Sequence, residues 1–237
     1  MEQEFADVID RAFGIATSGR WSALSAEIGR LATKPNDNAW HIKLLGSLCS
    51  KVFAEYTLMS RAYAEKEKWD PALFAWRARN LLELLVWSMY CAKGSGHARR
   101  LYEDASRDVF DAFSAFQKRG IEGIAVAQRL DRSSVSELFR ATETVKQEFT
   151  GRAAKDGFTD FKEPIKKVSA AAGECGIESH FLFSYKFLSK FAHPTAMQIL
   201  VPPDDAQHVL QRDYFFSQGC LSFIGAVTAL ELCLAAL

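Results

Sequence analysis

Apolar residues recur every three to four positions along most of this chain, and no stretch between turn signals sustains the alternation of a strand. The pattern predicts an opening helical hairpin over residues 3–17 and 21–33, parted at Thr17-Ser18-Gly19-Arg20. A turn at 34–38 follows, with Asn36 or Asp37 placed to cap a long helix over 39–66. Asp70 before Pro71 is a strong start signal, because proline at the first helical position gives up an N–H that has no partner there. That helix runs to Lys93 and stops at Gly94-Ser95-Gly96. Further helices are expected over 97–118, over 134–151 behind a Ser134/Glu137 capping box, and over 178–192 and 207–236. Asp160 with Glu163 repeats the capping pattern inside the most polar stretch, 151–178.

The fold these elements imply is all-α, an irregular bundle of about seven to nine helices with a buried C-terminal helix. No linker-like segment divides the chain, so a single domain over 1–237 is expected: an N-terminal hairpin at 1–35, then a main bundle at 36–237 with a polar connection at 151–178. The last helix is long enough to cross a bilayer, but Gln218, Glu231 and several Ser and Thr favour a buried helix of a soluble bundle. On a helical wheel Gly219, Ser222, Gly225, Ala226 and Ala229 share one side, which is expected to let a neighbouring backbone approach closely.

Candidate chemistry concentrates on two helices. In the 71–93 helix, Arg79, Asn80 and Glu83 share one sector with Trp76, Trp87 and Tyr90, and nearly all the rest of the circumference is apolar. A helix apolar on most sides is central, so its polar stripe is expected to be buried or to line a cleft. Arg79 and Glu83 either form an ion pair that orients neighbouring helices or present a guanidinium to an anionic or polar ligand within aromatic walls. In the 178–192 helix, Tyr185, Ser189 and His193 step by four along one side, with Lys186 and Lys190 where that line meets water. His193 then caps terminal carbonyls before Pro194, or pairs with Glu83 or Tyr185 as an acid/base group. His193 and Glu83 are the catalytic candidates if there is a reaction; Arg79, Asn80, Glu83, Trp76, Trp87, Tyr90, Tyr185, Ser189 and His193 are the ligand-binding ones.

The remaining signals narrow the field. Asp204, Asp205 and His208 have helical spacing but read as a helix start behind two prolines. His41, His97 and His180 have no carboxylate or cysteine at convincing spacing, and no phosphate-binding loop, dinucleotide fingerprint, H-E-x-x-H or nucleophile elbow occurs, so no metal and no cofactor is expected. Twenty-nine Lys and Arg balance twenty-nine Asp and Glu, which gives no broad electrostatic footprint for nucleic acid or anionic membrane and leaves only a local patch open. Five cysteines without C-x-x-C spacing, and an acidic amphipathic start unlike a signal peptide, lead to the expectation of reduced thiols in a cytoplasmic protein.

The stretch Arg77–Ala92 with Tyr185–Ala196 resembles a family of uncharacterised bacterial helical proteins, the domain of unknown function 5677, whose Arg-x-x-x-Glu helix and Tyr-x-x-x-Ser segment ending in His match Arg79, Glu83, Tyr185, Ser189 and His193. The resemblance spans about residues 40–235 and implies a helical fold without an assigned reaction. A weaker likeness is to HEPN ribonucleases, helical dimers with an Arg and a His a few residues apart on one helix. This chain departs from them, having no Arg five to seven residues before any histidine and only Lys186 seven before His193. The expected function is accordingly the binding of a small polar or anionic ligand, or of a protein partner, in an aromatic-walled cleft. The alternatives are a metal-independent ribonuclease and a structural module that self-associates as a homo-oligomer through its C-terminal helix.

Overall fold

A computed structural model describes residues 2–33, 39–65, 70–128, 131–158, 166–192 and 205–237. Among the described residues there are nine helices and no strand: α1 (Glu2–Thr17), α2 (Arg20–Ala32), α3 (Ala39–Ala64), α4 (Pro71–Ala92), α5 (Ser95–Gln128), α6 (Arg132–Lys155), α7 (Val168–Glu174), α8 (Glu178–Ala192) and α9 (Asp205–Ala235). The expected all-α bundle is therefore present. Its contacts divide into two compact units, Met1–Ala98 with Lys167–Leu237, and Arg99–Lys166.

In the first unit α9 packs along α4, with α3, α1 and α8 around them. Residues 214–230 contain no charged side chain, and Phe215, Phe223, Val227 and Leu230 are fully buried. Tyr56 of α3 stacks on Phe223 at 3.9 Å between ring centroids, and Tyr63 stacks on Phe216 at the same distance. At the glycines of α9 the close neighbours are side chains, not the expected backbone. A methyl group added at Gly219 would lie 2.6 Å from Met59 Sδ and 3.4 Å from Leu81 Cδ1; one added at Gly225 would lie 2.8 Å from Leu85 Cδ1. About half of the apolar stretch Gln211–Ala235 is buried, 50%, although by length and composition alone it could span a bilayer. The start of α4 is as expected, with Asp70 accepting from the Ala72 N–H at 2.9 Å and Pro71 next.

The second unit pairs the later part of α5 with α6. Lys146 donates to Gln117 Oε1 at 2.7 Å and lies 4.9 Å over the Phe110 ring. The stop expected at Lys118–Gly120 is a kink instead, since Gly120 takes φ 70°, a conformation costly for residues with a Cβ, and helical backbone resumes beyond it. The Ser134/Glu137 capping box is also corrected: Asp131 is the cap, accepting from the N–H groups of Ser133 and Ser134 at 3.0 and 3.1 Å, so the cap lies three residues earlier and α6 begins at Arg132. An aspartate outcompetes serine here because it brings charge as well as an acceptor to the positive helix end. Tyr102 donates to Asp156 at 2.7 Å, and the Arg99 guanidinium sits 4.4 Å over Phe158. The expected caps at Asn36, Asp37, Asp160 and Asp204 lie outside the described residues.

Among the described residues Cys49, Cys91, Cys220 and Cys233 are free and buried, and Cys175 is free and half-buried. Burial pushes the Cys49 thiol up to about 12 and that of Cys233 to about 11, which leaves both poor nucleophiles near neutrality. His41 is buried in the first turn of α3, against Trp40, with neither ring nitrogen hydrogen-bonded. Burial holds its pKa below the ordinary histidine value, so the folded chain binds fewer protons than the unfolded one. The stability this contributes is complete above the unfolded value, about 6.5, and declines as pH falls through it. Urea midpoints measured from pH 7.5 to 5.5 are expected to fall for the wild type and to flatten for His41→Leu; parallel profiles would show that His41 is not responsible.

Candidate functional site

The two chemistry-bearing helices do meet. The Arg79 guanidinium of α4 lies 4.4 Å over the Tyr185 ring of α8, hydrogen-bonds the Tyr185 hydroxyl through Nη2, and has Nε 3.3 Å from Glu83 Oε1. Side-chain exposure is 20% for Arg79 and 31% for Glu83, so the junction sits at the edge of the core rather than inside it. Local sequence explains the arrangement. Arg79 and Glu83 are one helical turn apart and share a face, and Tyr185 follows Phe181 by one turn on α8, where Phe181, Ser184 and Leu188 are the buried side. The guanidinium is flat, so it can stack on a phenol ring and hydrogen-bond in its own plane at once.

The rest of the predicted stripe does not gather at Arg79. Trp76 is exposed and pairs with Arg77, whose guanidinium carbon lies 5.4 Å from its ring centre. Trp87 and Tyr90, two to three turns along α4, meet each other edge-on at 6.1 Å. Tyr90 is buried beneath His97, whose Nε2 is 3.5 Å from Glu174. His97 thus has a carboxylate partner 77 positions away (174 − 97), which no reading of local spacing could supply. Ser189 donates to the Tyr185 carbonyl at 2.6 Å, within its own helix. Asn80 is half-buried, and His193 lies outside the described residues. Of the aromatic residues expected around Arg79, Tyr185 is the ring its guanidinium stacks on.

Sequence reasoning passed over several polar junctions of the same kind. Arg77 Nη1 is 3.0 Å from Glu55, a buried carboxylate of α3 that also has Lys51 at 3.3 Å. Glu55 was detectable as a charge between Val52, Tyr56 and Met59 on an otherwise apolar face. About two turns further along α3, Tyr63 donates to Asp213 at 3.0 Å while Arg212 Nε reaches the same oxygen at 2.8 Å; burial first, then Asp213, pushes the Tyr63 phenol up to about 12. Clefts of about 330 and 290 Å³ open between α2 and α3, where Trp21 stacks on Phe53 at 4.4 Å. Their linings are mainly apolar with a few Ser hydroxyls and one lysine, Lys43, and they lie on a different face of α3 from Glu55. Among the described residues no cluster of His, Cys, Asp and Glu is arranged to hold a metal ion.

An all-helical unit cross-braced by arginine, aromatic ring and carboxylate is the class these observations define. The chain belongs to the family of unknown function DUF5677, whose sequence model matches residues 42–206 and so takes in Arg79, Glu83, Tyr185, Ser189 and His193. No curated protein and no solved structure matches the chain.

Proposed function

We propose that this chain acts by binding a protein partner, and that the recognition face is the outer side of α8. The observation that carries the reading is Phe183, 66% exposed on a well-formed helix, in line with Phe187 one turn on and beside exposed Lys186 and Lys190. The buried side of α8 is formed by Phe181, Ser184 and Leu188. A phenylalanine left in water loses about 1.5–3 kcal/mol relative to burial, and aromatic residues rimmed by charge are typical anchors of protein interfaces. The Arg79–Tyr185–Glu83 junction supports the reading from behind, because it fixes α8 on α4 and presents a rigid face.

The small-ligand reading and the ribonuclease reading both assign Arg79 to a bound anion. Its guanidinium is engaged by Tyr185 and Glu83, and a carboxylate at 3.3 Å repels an incoming phosphate or carboxylate. Partner binding therefore has the better geometric support. The test places a photo-crosslinking benzoylphenylalanine at position 183, and at exposed Glu148 as control, in the full chain. A discrete adduct from position 183 alone is expected; no adduct above the control would sink the proposal.

A further inference from the structure

We draw no further inference here: the strongest candidate, the mainly apolar cleft between α2 and α3 lined by Trp21, Ile28, Gly46 and Phe53, carries nothing, because nothing in the structure shows what covers it.

Discussion

Asp104→Ala is expected to destabilise the Arg99–Lys166 unit by about 3–5 kcal/mol, the usual cost of removing one partner from a buried ion pair. Asp104 and Arg107 are almost fully buried, with Arg107 Nη1 donating to Asp104 Oδ1 at 2.7 Å. The other carboxylate oxygen accepts from the Lys166 backbone N–H at 3.0 Å, and Arg100 approaches to 3.6 Å. Alanine removes the carboxylate that the buried Arg107 guanidinium pairs with, and with it the acceptor of the Lys166 backbone N–H. Asp104→Asn keeps the shape and one acceptor and should cost less. Hydrogen exchange read by mass spectrometry is the appropriate measurement, because two units need not unfold in one step. Protection should fall in peptides from α5 and α6; unchanged protection there would show that the pair is not what holds the unit.

Arg79→Ala should cost about 2 kcal/mol, combining a charge-assisted hydrogen bond, a stacked guanidinium and a partly exposed ion pair that solvent screens. Tyr185→Phe retains the ring under the guanidinium and loses only the hydroxyl, for about 1 kcal/mol. The double variant should fall short of the sum, because both changes remove the same contact. Urea unfolding of the four proteins measures this. Should Arg79→Ala cost less than about 0.5 kcal/mol, within the range of ordinary surface substitutions, the guanidinium is not holding α8 and its assignment to a bound ligand returns.

The helices themselves were readable because each carries its own signals. Asp70-Pro71 starts α4, Gly19 parts α1 from α2, and α9 shows as one long, largely apolar run. The errors fell where two local signals competed. Asp131 and Ser134 both offered a cap, and the charged side chain took it. Gly120 is a kink rather than an end, since one residue at positive φ redirects a helix without ending it. The candidate site was legible in part: the i, i+4 spacing placed Arg79 with Glu83, and the choice of the α8 line brought Tyr185 to it. Trp76, Trp87 and Tyr90 share that face on a wheel, yet a wheel carries no height, and one to three turns of rise separate them from Arg79.

Sequence alone settled the helical class, the helix order, the family resemblance and the α4 and α8 residues worth watching, because helical periodicity and capping are interactions between near neighbours in the chain. Only tertiary structure decided that Glu174 serves His97, that Glu55 serves Arg77, and that Phe183 and Leu232 face water while Phe181 and Leu230 do not. A helix nearly apolar on all sides looks the same in one dimension whether it is wrapped completely or only by half. For α9 the exposed half became visible once Leu221 and Leu232 were seen to face water while Phe215, Phe223 and Leu230 of the same helix do not.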